Sequence, residues 1–244
     1  QPIYGNFWET AGVGDSFGAA LESGLDNSPM YDEVPFDSET HLLLQSDVGL
    51  MGLYILDCSC LAEIAAILGE YEIHDRLLNR RQETEQALNL LWDETFGLHC
   101  NLRLDKNEFS HRISPTNFYA LFSQNISDQQ LDRIKAHFFN PDEFFDEFML
   151  PSIARNDPAY LEQDYWRGRI WAPMNLLTYL AFRQQKCDDV CAIIREKSMR
   201  LFLREWQEHG HIHENYNAET GWGCDVKNSD QFYHWGGLLG LISF

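Results

Sequence analysis

The sequence predicts an all-α protein, and three observations predict it. Long segments carry apolar residues at helical spacing, these segments come in consecutive pairs, and alternating strand patterns are scarce. The first segment, residues 46–70, has a capping residue at Ser46, apolar side chains on nearly every face and Gly69 as a stop, so a buried helix is expected. Asp47 falls in its first turn, where an acid favours the helix dipole. Residues 72–93 follow with charges on one side and Leu77, Leu78, Ala87, Leu88, Leu91 and Trp92 on the other, which makes the pair an antiparallel hairpin. Pro115 after Ser114 opens a short helix to Phe122, and Ser127 caps another that runs to Phe138 ahead of Pro141.

Residues 172–186 and 188–208 form a further hairpin region. The second member has Val190, Ile193, Ile194, Met199, Leu201 and Phe202 on one stripe and Gly210 beyond its end. The apolar run 232–244 reads as the last of seven helices, with Gly236 and Gly237 permitting close backbone approach. Long, aromatic-rich loops join them. Two strand signals, 98–104 and 148–153, are short and lack the partners a sheet needs. No repeat, low-complexity tract or linker divides the chain, so residues 1–244 read as one domain.

A composition of 44% hydrophobic and 14% aromatic residues suffices for one large core. With 38 acidic against 18 basic residues, the field repels phosphate backbones and anionic surfaces, so neither nucleic acid nor membrane is an expected partner. No run of eighteen apolar residues occurs, and Gln1-Pro2-Ile3-Tyr4 has neither the basic nor the apolar part of a leader, so a soluble protein is expected. Cysteines 58, 60, 100, 187, 191 and 224 are scattered without a CxxC pair, which favours reduced thiols and a cytoplasmic setting, secretion staying open. The sequon Asn125-Ile126-Ser127 shifts that reading little.

Cofactor signatures are weak. His209-Gly210-His211-Ile212-His213 could imitate a metal site, but no spaced cysteine or carboxylate completes a zinc pattern in the sequence. Cys187 and Cys191, one turn apart, read as packed thiols. Asp225, Asn228 and Asp230 lack the order of a calcium loop, and there is no phosphate loop or nucleophile elbow. No metal and no cofactor is expected.

Two acidic loops hold more. Glu22-Ser23-Gly24-Leu25-Asp26-Asn27-Ser28-Pro29 is rich in turn formers, so Asp26 reads locally as a turn or cap residue or as an acid projecting into a cleft. His213-Glu214-Asn215-Tyr216-Asn217-Ala218-Glu219-Thr220-Gly221 lies between helices among aromatics, and Glu214 reads as a surface acid or a second cleft carboxylate. Glycosidic cleavage with inversion needs one protonated and one ionised carboxyl separated by roughly 6.5–9.5 Å. Residues so far apart in sequence meet this only in a fold that returns on itself, as a ring of helical hairpins does.

Four ordered segments then become informative together: residues 22–29, Asp164-Tyr165-Trp166-Arg167-Gly168-Arg169-Ile170-Trp171, Glu214-Asn215-Tyr216-Asn217, and Phe232-Tyr233-His234-Trp235-Gly236-Gly237-Leu238-Leu239-Gly240. They resemble glycoside hydrolase family 63 over nearly the whole chain, with the trehalases of family 37 as more distant relatives. The resemblance implies an (α/α)6 toroid, of which this chain carries about the last seven helices and lacks the first five. It also implies inverting hydrolysis of a terminal α-glycosidic bond (a glucoside, mannoside or glycosyl-glycerate), with Asp26 as general acid and Glu214 as general base. Asp26 then needs surroundings that keep it protonated while Glu214 stays ionised.

Sugar rings take aromatic faces and charged donors. The resemblance therefore puts Trp166 and Arg167 in the pocket, with Gly168 bringing backbone near the ligand. Asn27, Tyr216, Trp235 and Trp8 are further substrate-binding candidates, and Trp8 has Glu9 and Phe17 as companions in the pocket wall. The alternative is a catalytically silent sugar-binding half-barrel that needs a partner chain. In either case one face should be broadly apolar or covered by additional polypeptide.

Overall fold

The structure is a computed structural model and describes residues 15–243. Trp8 and Glu9 lie outside those residues. The described helices are α1 (Asp15–Glu22), α2 (Val48–Leu68), α3 (Tyr71–Asn89), α4 (Asp128–Phe138), α5 (Ala172–Gln184), α6 (Asp188–His209) and α7 (Leu238–Ile242). They form the helical hairpins expected of part of an (α/α)6 toroid. Local chemistry sets their ends. Asp47, rather than Ser46, caps α2 by accepting from Leu50 N at 2.9 Å. Gly69 and Gly210 close α2 and α6 in the left-handed conformation. Ser127 caps α4 in a reciprocal box with Gln130.

Three expectations are corrected. Pro115–Phe122 is a wholly buried 3-10 turn, not an α-helix. The run 232–244 is divided into a 3-10 turn, His234–Gly237, and the short α7. The 98–104 segment does pair: Leu98–His99 with Trp92–Asp93, and Asn101–Arg103 with both Gln45–Ser46 and Glu108–Ser110. These ladders are two or three residues long, too short for alternation to show. Residues 148–153 contribute one isolated bridge, Pro151 to Ile170.

The main core joins both hairpins through Phe118, whose ring centroid lies 6.1 Å from Phe138, 5.1 Å from Phe144 and 5.4 Å from Phe182. A smaller cluster with Met30, Ile153, Tyr160, Ile170, Leu201, Tyr216 and Leu239 underlies the loops of the site. On the far side, α2 is different. It is long and apolar enough to cross a membrane by length and composition, with a mean hydropathy of 1.8, although Asp57 and Glu63 interrupt it. Only part of it is buried here: Ile64 is 51%, Ile67 84% and Leu68 71% exposed.

Candidate active site

The 22–29 segment bends sharply after α1. Gly24 takes a φ of 74°, and Ser28 N donates to Leu25 O at 2.6 Å, so Asp26 stands at the tip of a turn. Ser28 then accepts from Met30 N and starts the Pro29–Tyr31 3-10 turn. Asp26 is half-buried and forms no side-chain hydrogen bond among the described residues.

Asn27 docks this turn onto the 164–167 loop. Its Oδ1 accepts from Trp166 N at 2.9 Å, its Nδ2 donates to Asp164 O at 3.3 Å, and its own carbonyl accepts from Arg167 Nη1 at 3.2 Å. The amide expected to touch substrate is thus a loop staple.

Arg167 is held in a similar way. A guanidinium has five N–H groups, and all five are engaged: Nε and Nη2 on Glu162 at 2.6 and 2.9 Å, Nη1 and Nη2 on Asp32 at 3.1 Å each, and Nη1 on Asn27 O. The Glu162 and Asp32 carboxylates hold its pKa above the usual arginine value. None of its donors is left for a sugar hydroxyl. Arg112 extends the clamp by bridging Asp32 at 2.9 Å and Asp157 at 2.8 Å.

The 164–167 loop is a tight reversal, with Arg167 N donating to Asp164 O at 2.9 Å. Tyr165 sits within it at a φ of 54°, a left-handed conformation disfavoured for an aromatic residue and therefore a pointer to a positional demand. Its hydroxyl donates to Glu214 Oε1 at 3.3 Å. Gly168 serves the fold rather than a ligand: at φ 104° a Cβ there would stand 2.3 Å from Tyr160 O.

Ile170–Trp171 pairs antiparallel with Asn215–Tyr216, so the second and third sequence motifs meet as a ladder. Arg169, 0% exposed, anchors it from below through Asp225 at 2.7 Å and through Asn215 Oδ1, next to Glu214. Tyr216 is also wholly buried, its hydroxyl accepting from His213 N at 3.0 Å. It supports the Glu214 loop from within the core. The segment that leads into the fourth motif joins from the other side, where Glu214 N donates to Asp230 O at 2.9 Å, His213 bridges to Gln231 and Phe232 N donates to Ile212 O at 2.7 Å.

Glu214 is 6% exposed. Burial raises its pKa above the ordinary glutamate value, and the charges of Asp230 and Asp26 add to the rise, while the Tyr165 hydroxyl opposes it. Burial also raises the Tyr165 pKa, with Glu214 and Asp26 pushing the same way, so Tyr165 stays a donor. The field of Asp26 therefore reaches both Glu214 and the tyrosine that touches it.

Aromatics pack beside the 22–29 turn. Trp166, buried, stacks on Trp171 at 3.7 Å and 9°, and Trp235 meets Trp171 edge-on at 6.0 Å. Trp166 and Trp235 line an apolar cavity of about 160 Å³ behind the acid turn, with Leu25, Tyr31 and Met174. Neither Asp26 nor Glu214 lines it. It backs the site and is not the space between the carboxylates. Phe17, 52% exposed, lies on α1.

Reading by residue type alone missed Tyr165, Asp32, Glu162 and Asp230. Tyr165 stood inside the Asp164–Trp171 motif, and its signal was that position. The other three are ordinary loop acids until their partners are seen.

Helical hairpins joined by long interlocked loops, as found here, are consistent with part of the (α/α)6 toroid of glycoside hydrolases. The chain belongs to the family described as mannosylglycerate hydrolase MGH1-like glycoside hydrolase domain, which matches residues 16–235. It is similar to the mannosyl-oligosaccharide glucosidase of Saccharomyces cerevisiae, 25% identical over 93% of this chain and 29% of that protein. Its fold resembles the family 63 mannosylglycerate hydrolase of Thermus thermophilus solved with glucose, at a TM-score of 0.73 and 22% identity over 91% of this chain and 60% of that one. The neutral trehalase of Saccharomyces cerevisiae matches at a TM-score of 0.67 and 16% identity, over 94% of this chain and 42% of the trehalase. The chain thus spans less than two thirds of the length of each.

Proposed function

We propose that this chain carries the acid and base of an inverting α-glycoside hydrolase, with Asp26 protonating the leaving oxygen and Glu214 activating the attacking water. The observation that carries this reading is the buried Glu214 carboxylate, held by the Tyr165 hydroxyl and lying within the field of Asp26. A carboxylate whose pKa is raised is a stronger base once ionised, which suits water activation. Asp26, on a turn tip with no competing side-chain bond among the described residues, is free to meet a glycosidic oxygen. The pair needs no cofactor for hydrolysis.

The substrate proposed is a terminal α-linked glucoside, mannoside or glycosyl-glycerate, which the names of the similar glucosidase and mannosylglycerate hydrolase support. Trp235 would offer a stacking face, with Trp166 buried against Trp171, whereas Asn27 and Arg167 would position the acid turn. The exposed apolar side of α2 supports a further part of the proposal, that additional helical polypeptide covers this face in the active assembly.

The test is Glu214→Gln in that assembly, with a panel of α-linked disaccharides and glycosyl-glycerates. Loss of the carboxylate should lower kcat by roughly 10²–10⁴-fold while substrate binding persists, and the wild type should release the β-anomer first. Full turnover by the folded variant, or release of the α-anomer, would overturn the assignment.

A further inference from the structure

Helix α6 ends with Glu205 and His209 one turn apart, and the chain leaves it through His211 and His213 before reaching Glu214. Folding gathers what the sequence separates: ligand atoms of Glu205, His211 and His213 all lie within 4.8 Å of one another. Glu205 is 0% and His213 2% exposed. A carboxylate removed from water needs donors or a cation. Among the described residues, Glu205 Oε2 and His211 Nδ1 have no hydrogen-bond partner, and Glu205 Oε1 and His213 Nε2 have only each other.

The tautomer of His213 sharpens this. Its Nδ1 lies 2.9 Å from the Ser229 carbonyl oxygen, which can only accept, so Nδ1 carries a hydrogen, and whenever the ring is neutral its Nε2 is a lone pair. That nitrogen faces Glu205 Oε1 at 3.2 Å. A lone pair and a carboxylate oxygen held this close require a positive centre between them. Tetrahedral ligands about 2.0–2.1 Å from zinc lie about 3.3–3.4 Å from each other, close to this spacing. A proton on His213 would satisfy that nitrogen and one Glu205 oxygen, leaving the other oxygen and His211 Nδ1 bare. A metal ion satisfies the three side chains together.

The surroundings fit a ligand histidine. Donation of the second ring nitrogen to a backbone carbonyl is the usual orienting contact of such residues. Gly223 leaves room for the ring, since a Cβ there would be 2.3 Å from His213 Cγ. Two neutral imidazoles and one carboxylate suit zinc rather than magnesium or calcium.

We infer that Glu205, His211 and His213 bind a divalent transition-metal ion of the zinc type, fastening the end of α6 to the loop that carries Glu214. Three protein ligands leave the fourth position to water. Glu214 is not among the ligands, so the ion braces the base loop without entering the hydrolytic step. An outer triad of Glu205, His209 and Cys224, also within 4.8 Å, shares the buried carboxylate, but His209 and Cys224 are both exposed.

The experiment loads the untagged chain with Co²⁺, reads its visible absorption, and separately measures zinc retained after desalting. One equivalent per chain and a tetrahedral Co²⁺ band are expected, together with a Tm that falls in chelator. Glu205→Gln and His211→Ala should each weaken Co²⁺ binding by more than the roughly 10–100-fold that loss of a supporting partner costs. Cys224→Ser should leave the band in place. His211 is half-exposed, so its variant carries the test even where Glu205→Gln does not fold. The inference is overturned if the wild type retains no zinc and gives no band, which would mean a buried ion pair only. It is overturned equally if His211→Ala binds as the wild type does while Cys224→Ser abolishes the band.

Discussion

The α2–α3 hairpin and the junction of the three site loops are built on opposite plans. In the hairpin, local signals suffice: Asp47 at one end of α2, Gly69 at the other, and an almost continuously apolar run between. What varies is how much of the apolar surface finds a partner, and Ile67 and Leu68 find little. The junction has hardly any regular structure. It stands on long-range polar pairs: Arg169 with Asp225, Arg167 with Asp32 and Glu162, and Asn27 with the backbone of Trp166. A helix tolerates an unpartnered side chain, because its backbone bonds remain. A loop junction made of such pairs does not, because each lost partner strands a buried polar group.

The largest effect should follow from cutting the most buried of these pairs. Arg169→Leu removes a fully buried cation from Asp225 and Asn215 and should cost about 3–5 kcal/mol, measured as a lower urea midpoint. Replacing Asp225 by Leu as well should recover part of that loss. In the hairpin the contrast is sharp. Ile67→Ser, at a position 84% exposed, should change the stability of this chain by less than about 0.5 kcal/mol. A cost of about 2 kcal/mol or more in an assembly containing further polypeptide would locate the covering surface at α2.

A finer effect lies within the junction. With Glu214 as the proposed base, kcat/KM should fall as pH drops through its raised pKa. Asp230→Asn removes a charge that raises this pKa, so the acidic limb should move to lower pH. Tyr165→Phe removes a bond that favours the ionised form, so the limb should move to higher pH. Profiles of both variants that shift in the same direction would break the electrostatic account of the base.

The same contrast decides what was legible in the sequence. Helices α2 to α6 were legible because their apolar period extends over several turns. Asp15–Glu22 was not, since eight residues with Gly18 in their midst carry too short a period to separate from loop. The paired two-residue strands have no period at all. At the site, four motifs pointed to the right segments, and the structure interlocks them. Their residue types did not disclose partners: the five donors of Arg167 are spent on acids and a carbonyl from three other positions, and Tyr216 turns into the core. The histidines after α6 could not be read as a site while Glu205, four residues before His209 and on its own helix face, looked like one more helical acid.

The central claim, that Asp26 is the acid and Glu214 the base, is tested most directly by the leaving-group dependence of Asp26→Asn. The assay compares kcat/KM on aryl α-glycosides with acidic leaving groups against alkyl or sugar aglycones in the assembled enzyme. Asp26→Asn should leave the activated aryl substrates nearly as reactive as before and slow the poor leaving groups by roughly 10²–10⁴-fold. Equal slowing of both classes would contradict the account.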